Sequence, residues 1–160
     1  GGLHNRPGNL DSPMDNRDPE ANGTPADVVG LKELMFGPPG RTHCSPEYNG
    51  SYTALLKNTI DWASSPVKGH PVWSSGTKPF ADKVVGLLSA SPGARGGLRS
   101  LSHLAPLILN LQCWVAPKQH ALSAAGQAFD AQGQLLHDKD AQAVHAVIEQ
   151  HLFARESLAS

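Results

Sequence analysis

The sequence has few cysteines, few aromatic residues and no long apolar run. Two cysteines in 160 residues, Cys44 and Cys113, are too few for the disulfide framework of a small secreted protein. No apolar stretch approaches the ~20 residues of a membrane-spanning helix, and residues 1–9 lack the apolar core of a signal peptide. We therefore expect a soluble cytoplasmic protein that has no membrane as partner.

The sequence also lacks an excess of charge of one sign. Its 13 Lys and Arg residues are balanced by 14 Asp and Glu residues, which leaves a net charge of −1. Because nucleic-acid-binding proteins usually carry a basic patch, we expect no nucleic acid partner. The length suits one domain that buries about 68–70% of its unfolded surface.

Motifs for metal and hydrolytic chemistry are missing as well. The eight histidines form no His-x-x-x-His pair and no Cys/His cluster, so we expect no metal site. There is no Gly-x-Ser-x-Gly nucleophile elbow and no Gly-Lys-Ser/Thr phosphate loop. We therefore assign no catalytic side chain.

What the sequence does contain is a rigid turn that leads into a helix. Pro46 fixes its own φ, and Gly50 permits backbone conformations that a Cβ would block. Ser51 is expected to cap the following helix, over residues 53–64, through its hydroxyl group. Helix amino termini attract electron-rich groups, because unpaired N–H groups and the helix dipole point there. Helical spacing predicts that one buried stripe contains Leu55, Leu56, Thr59, Ile60 and Ala63, with Lys57, Asn58 and Asp61 largely elsewhere.

A second motif combines a strand, a glycine-rich loop and a helix. Residues 84–90 form a continuous apolar run and predict the best core strand of the chain. A loop follows, and a helix is expected over residues 98–111. Open α/β sheets bind ligands at the carboxyl ends of their strands, so the loop is a candidate ligand cradle. The loop residues of interest are Ser91, Gly93, Gly96 and Gly97.

The other segments predict further helices and two further strands. Residues 24–27 read Thr-Pro-Ala-Asp, which predicts a helix start with a Thr cap and Pro at the first helical position. The Gly-Pro-Pro-Gly run at 37–40 should end that helix. Residues 41–44 are polar, whereas a buried parallel strand is usually apolar, so we expect a weak or frayed strand there. A last strand over residues 113–116 should stop at Pro117.

A final helix is predicted from near Asp138 or Asp140 to near Arg155. Residues 1–23 have Gly, Pro, Asn or Asp at nearly every other position, which favours a flexible arm ahead of one domain over residues 24–156. Expected buried positions are Val28, Leu31, Leu34 and Met35 in the first helix and Ala141, Val144, Val147, Ile148 and Leu152 in the last, with His137, His145 and His151 on its solvated side.

Several of these residues together resemble a known family. The run Pro-Glu-Tyr-Asn-Gly-Ser at 46–51, with Leu-Lys-Asn at 56–58 and Ile-Asp-Trp at 60–62, is similar to the NADPH-dependent FMN reductases, which include chromate and quinone reductases. Ser91 with the Gly96-Gly97 pair resembles the family's second flavin loop, and the Phe-Asp pair at 129–130 with a later Gly133 resembles another of its segments.

The resemblance implies a flavodoxin-like three-layer α/β/α fold with a parallel sheet. It implies FMN and NADPH as cofactors, hydride transfer carried by the flavin, and a small-molecule electron acceptor such as a quinone or a flavin. It also implies a homodimer or homotetramer that forms through the helix at 53–63. The implied flavin-ring residues are Pro46, Glu47, Tyr48, Asn49, Gly50, Ser91, Gly93, Gly96 and Gly97.

The sequence departs from this family at its beginning. The resemblance covers residues 11–152, without the family's first strand and its Ser- and Arg-containing phosphate loop, so no phosphate-binding residue is assigned. We expect a fold that is incomplete at the amino end and a flavin site impaired by that loss. The alternative is a non-catalytic remnant that associates through Leu56, Ile60 and Trp62.

Four side chains near the implied site keep two interpretations each. Tyr48 packs either against the flavin ring or against protein, and Glu47 is either a turn or helix-end charge or a general acid. Arg95 and Arg99 either contact NADPH phosphates or are solvated surface residues. For Cys44 we expect a passive thiol, because nothing adjacent in sequence would lower its pKa.

Overall fold

The computed structural model describes residues 13–15 and 23–159. The predicted arm at 1–23 lies mostly outside these residues, and the single domain over 24–156 stays a prediction. The chain divides into two compact units, the first comprising Gly1–Pro38 and Ala54–Ala81 and the second Pro39–Thr53 and Asp82–Ser160.

Among the described residues, two helices belong to the first unit and the sheet belongs to the second. No helix in the described ranges is long and apolar enough to cross a membrane. In the first unit, α1 spans Ala26–Phe36 and α2 spans Ala54–Ser64. The second unit consists of β1 (Gly40–Pro46), β2 (Val84–Ala90), α3 (Leu98–Asn110), β3 (Trp114–Leu122), a 3₁₀ turn (Ala125–Gln127) and α4 (Asp138–Ala159).

The sheet of the second unit has three parallel strands in the order β1-β2-β3. The predicted core strand forms as β2, where Val84, Val85 and Leu87 are buried between its two neighbours. Helices α3 and α4 pack against the sheet. The predicted α/β class with a parallel sheet is confirmed.

Strand β1 corrects the prediction of a weak or frayed strand at residues 41–44. Its seven residues pair with all of β2 in an unbroken parallel register, from Gly40 opposite Val84 to Pro46 opposite Ala90. Main-chain N–H and C=O groups make these hydrogen bonds, so polar side chains do not prevent pairing with a well-ordered apolar neighbour.

Strand β3 is longer than predicted. The sequence suggested an end at Pro117, yet the strand continues to Leu122. The register with β2 shifts between Val85 and Leu87, which pair with Val115 and Gln119, so Pro117 falls within the irregularity. Because β3 lies at the edge of the described sheet and carries an irregularity there, the missing N–H of proline is tolerated.

Helix α2 buries part of the predicted stripe, since Thr59, Ile60 and Ala63 are buried as expected. Leu55 is exposed, whereas Asn58 and Trp62 are buried. The Asn58 side chain accepts a hydrogen bond from the Asp15 amide at 2.8 Å and donates one to the Pro13 carbonyl at 3.0 Å. These partners satisfy the polar amide and allow its burial. The buried residues of α2 are Asn58, Thr59, Ile60, Trp62 and Ala63.

The starts of both helices also differ from the predictions. Helix α2 begins at Ala54, so Ser51 is not its cap. Pro25 occupies the N-cap position of α1, with no side-chain cap bond, instead of the first helical position. Within α1, Val28 and Leu31 are buried as predicted, but Leu34 is exposed. Lys32, which was not predicted to be buried, is buried as well.

Helix α4 begins at Asp138 as predicted and runs past Arg155 to Ala159. Val147 is buried as expected, but Ile148 and Leu152 are exposed and His151 is buried. Val147 and His151 of α4 are buried because they face the sheet and lie over Gly86 of β2.

Replacing Lys32 tests how α2 is terminated. Lys32 is only 1% exposed, and its ammonium group donates to the carbonyls of Trp62 at 2.7 Å, Ala63 at 3.1 Å and Ser65. These carbonyls lie at and just beyond the end of α2, where the last C=O groups of a helix lack the usual donor four residues on. We expect Lys32→Met to lower the free energy of unfolding by about 2–3 kcal/mol in urea titrations. Lys57→Met, at a partly exposed i,i+4 ion pair of the other helix, α2, should cost about 0.5 kcal/mol or less; equal effects would contradict the capping role.

Acid titration tests the polar burial on β1. The Nε2 atom of His43 is buried and has no hydrogen-bond partner among residues 13–15 and 23–159. Burial, followed by the charge of Arg41, lowers the pKa of His43 from 6.5 to about 4. The unfolded chain therefore binds the proton more tightly, and stability is lost as the pH falls from about 6.5 to about 4. We expect this loss to be about 2 kcal/mol smaller in His43→Gln. His145→Gln, at an exposed position, is the control and should retain the wild-type slope.

Candidate functional site

The turn after β1 is a two-residue hairpin turn. Tyr48 and Ser51 exchange main-chain hydrogen bonds of 2.9 and 3.0 Å, and the residues between them, Asn49 and Gly50, have φ values of 50° and 80°. Positive φ at both central positions is typical of a type I′ turn, for which Asn-Gly is the favoured pair. The Asn-Gly dipeptide is thus the sequence signal for this turn, and it was not used in the prediction.

The carboxylate of Glu47 lies at the amino end of α3. Its Oε2 accepts from the Arg99 amide at 3.2 Å, and its Oε1 accepts from Arg99 Nε at 2.9 Å and from Nη2. The hydrogen bond from the Arg99 side chain is the main cause that lowers the pKa of Glu47 below its usual range. Of the two interpretations of Glu47, this geometry favours the helix-end charge over a general acid.

Two further contacts join the same turn to α3. A Cβ at Gly50 would lie 3.4 Å from Arg99 Nη1, so the guanidinium group covers that side of the turn. One helical turn further along, His103 Nδ1 lies 3.0 Å from Ser51 Oγ. Sequence reasoning identified neither contact, because Arg99 and His103 are 52 residues from their partners and no local pattern connects them.

The glycine bend before α3 packs closely on the ends of two strands. A Cβ at Gly96 would overlap the Ala121 carbonyl of β3, and one at Gly97 would lie 2.8 Å from Ser89 Oγ on β2. Both glycines have positive φ, and Ser89 Oγ donates to the Gly96 carbonyl at 2.9 Å. The same Gly97 Cβ position is 3.6 Å from the Cβ of Glu47, so the bend and the turn are neighbours.

The outer part of the loop remains at the surface. The amide of Ser91 donates to the Leu122 carbonyl at 3.1 Å, which holds the loop against the end of β3. Gly93 is exposed, and a Cβ there would meet only Ser91 Oγ at 3.7 Å. Among the predicted loop residues, Ser91 and Gly93 therefore reach the surface, while Gly96 and Gly97 are buried.

The structure thus brings the two predicted motifs together at the carboxyl ends of β1 and β2. Tyr48 is exposed on the turn, and within the described residues the amides of Asn49 and Gly50 make no main-chain hydrogen bond. Unused amides beside an exposed aromatic ring suit a flat, electron-rich ligand. No group of three or more His, Cys, Asp or Glu side chains in the described part of the chain is placed to hold a metal ion.

Cys44 precedes the turn without taking part in this arrangement. Partial desolvation raises the pKa of its thiol, which disfavours the reactive thiolate. The two cysteines of the chain are not joined in a disulfide.

Comparison with known proteins decides the family. The sequence pattern described as NADPH-dependent FMN reductase matches residues 3–127, more than three quarters of the chain. The chain belongs to this family. The family resemblance drawn from the turn and the loop is confirmed.

Individual relatives agree with this family. An NAD(P)H-dependent FMN reductase of Pseudomonas aeruginosa is 37% identical over 128 residues, which cover 79% of this chain and 64% of that protein. An NAD(P)H:quinone oxidoreductase of Solanum tuberosum is 36% identical over 140 residues, which cover 85% of this chain and 66% of that protein. The chain therefore spans slightly less than two thirds of the length of these relatives.

A solved structure shows the same fold. The flavoenzyme NAD(P)H:(acceptor) oxidoreductase FerB of Paracoccus denitrificans superposes with a TM-score of 0.77 and 24% identity, over 92% of this chain and 76% of that one. The predicted flavodoxin-like fold is confirmed.

Two glycine substitutions test why the family's glycine pair is needed here. Gly97→Ala should lower the free energy of unfolding by about 2–3 kcal/mol, because Gly97 has a φ of 90° and its Cβ would press on Ser89. Gly93→Ala, in the open part of the same loop, should change it by less than about 0.5 kcal/mol. Urea unfolding measures both, and a neutral Gly97→Ala would show that packing does not require this glycine.

Proposed function

We propose that the chain binds FMN and acts as an NAD(P)H-dependent oxidoreductase that reduces a small-molecule acceptor, such as a quinone or a flavin. The observation that supports this most is the position of the 47–50 turn beside the 91–97 loop at the carboxyl ends of β1 and β2. Family membership and the names of the relatives support the same reaction class.

The proposed ring site uses main-chain groups more than side chains. The amides of Asn49 and Gly50 are the available donors for the polar edge of the flavin, and Tyr48 offers an aromatic surface beside them. Gly96 and Gly97 contribute indirectly, because the absence of a Cβ allows the loop to pack on the ends of the strands. The complete proposed set is Pro46, Glu47, Tyr48, Asn49, Gly50, Ser91, Gly93, Gly96 and Gly97.

When bound, the flavin would supply the hydride chemistry. The chain's own residues would orient its ring and exclude water from one side, and none of them is assigned a proton-transfer role. We assign no residue to the FMN phosphate or to NADPH. Residues 1–9, which lack the family's phosphate-loop pattern, lie outside the described ranges.

We also propose a homodimer or homotetramer that forms through the helix at 53–63, in the cytoplasm. Exposed Leu55 and the half-buried Lys57–Asp61 pair on α2 are available for such contacts. Ile60 and Trp62, named as contacts for a non-catalytic remnant, are 1% and 0% exposed, so they belong to the core of the first unit. This burial weakens the remnant as an alternative function.

Reconstitution with FMN tests the proposed cofactor. The protein should bind added FMN, detected by the change in visible absorbance during a titration, and should then oxidise NADPH when a quinone is added. Gly50→Ala should weaken FMN binding about tenfold, because a Cβ at a φ of 80° costs about 1–2 kcal/mol and shifts the turn away from its binding geometry.

Gly133→Ala is the matched control for this substitution. Gly133 has a φ of 77°, with no atom near its Cβ position, so alanine meets the same backbone strain there. Gly133 lies in a separate turn stabilised by Asp130, and FMN affinity should stay within about twofold of wild type. A wild-type protein that takes up no flavin, or equal losses in the two variants, would contradict the proposed ring site.

A further inference from the structure

Helix α3 begins at a residue that cannot cap it. Its N-cap is Gly97, which has a φ of 90° and no side chain to accept the first amides. A residue with a capping side chain is excluded there, because its Cβ would lie 2.8 Å from Ser89 Oγ. The amide of Arg99 nevertheless has an acceptor, since Glu47 Oε2 lies 3.2 Å away. The capping group of α3 therefore comes from the turn after β1.

Arg99 holds that capping carboxylate in place. Its guanidinium group donates from Nε and Nη2 to the other oxygen, Oε1, so one residue binds both oxygens of Glu47. The Glu47 side chain is only 8% exposed, whereas that of Arg99 is 55% exposed. The Glu47 side chain is thus buried and hydrogen-bonded through both oxygens, while the more exposed Arg99 guanidinium group also covers Gly50.

We propose that Glu47 and Arg99 are positioning residues that join the two halves of the ring site. Glu47 fixes the amino end of α3 and with it the Gly96-Gly97 bend, and Arg99 fixes Glu47 and with it the Asn49-Gly50 turn. Neither residue needs to touch the flavin in this role. The effect on flavin affinity rests on the proposed function, whereas the joining of turn and helix is a property of the FMN-free protein.

Because Arg99 contacts Glu47 and Glu47 contacts the helix end, the effects of replacing these two residues should be coupled. Arg99 acts on the turn through the Glu47 carboxylate, so its side chain should matter much less once Glu47 is gone. A solvated arginine, the other interpretation of this residue, would have the same small effect in either background. A general-acid role for Glu47 would instead reduce turnover while leaving the FMN-free protein unchanged.

Amide hydrogen exchange on the FMN-free protein tests the joining directly. Arg99→Met should speed exchange of the hydrogen-bonded amides of Tyr48 and Ser51 and of residues 98–100 about fivefold, the usual size of a lost helix cap, and Glu47→Ala should do at least the same. The double variant should exchange no faster than twice the rate of Glu47→Ala. Arg95→Met is the matched control, since Arg95 is exposed four residues before Arg99 and makes no side-chain hydrogen bond or ion pair among the described residues. It should exchange like wild type.

FMN titration of the same four variants gives the second readout. Because a turn that is positioned only part of the time binds ligand more weakly by that fraction, Arg99→Met should raise the Kd for FMN about fivefold and Arg95→Met less than twofold. Exchange rates in Arg99→Met that match Arg95→Met would overturn the proposal, as would additive effects in the double variant. If the wild-type protein binds no FMN while exchange still accelerates, the joining stands and the proposed function fails.

Discussion

The close approach of the glycine bend to the sheet is the constraint from which the rest of the site follows. Gly96 and Gly97 pass so near Ala121 and Ser89 that no Cβ fits at either position. Glycine at 97 then leaves α3 without a capping side chain of its own, and the Glu47 carboxylate takes that place. Arg99 balances the charge of this carboxylate. One packing requirement thus links three segments that are far apart in the sequence.

The parts of the fold that could be predicted are those fixed by local patterns. The apolar run at 84–90 became β2 with the predicted bounds, and the Gly-Pro-Pro-Gly run ended α1 at Phe36. The predictions for β1 and β3 were wrong because both strands are stabilised by pairing with β2. Main-chain hydrogen bonds hold the polar residues 41–44 in β1, and an irregular register accommodates Pro117 in β3. The predicted buried faces of the helices were wrong where a polar side chain has a hydrogen-bond partner far away in the sequence, as Asn58 has in the Pro13 carbonyl. Tertiary contacts override local pattern in such cases.

The same distinction applies to the site. Sequence similarity identified the turn and the loop, and the structure places them side by side. Gly50 acts as its sequence context suggested, because it adopts a positive φ in a type I′ turn, and it also leaves room for Arg99. The Gly96-Gly97 pair, expected as part of a ligand cradle, provides packing room against β2 and β3. Neither reason involves a ligand. Glycines that look like ligand-contact residues in the sequence therefore carry a structural requirement that would persist without any flavin.

The two compact units separate the two main proposals. Every proposed ring residue belongs to the second unit, between 46 and 97, whereas the helix proposed for association belongs to the first. The proposed flavin binding would depend on the sheet, the glycine bend and the Glu47–Arg99 pair, and the proposed association would depend on the exposed face of α2. Because Ile60 and Trp62 are used in the core of the first unit, that face is smaller and more polar than the sequence suggested. The flavin proposal therefore rests on more contacts between its residues than the association proposal does. A weak or absent association would not contradict it.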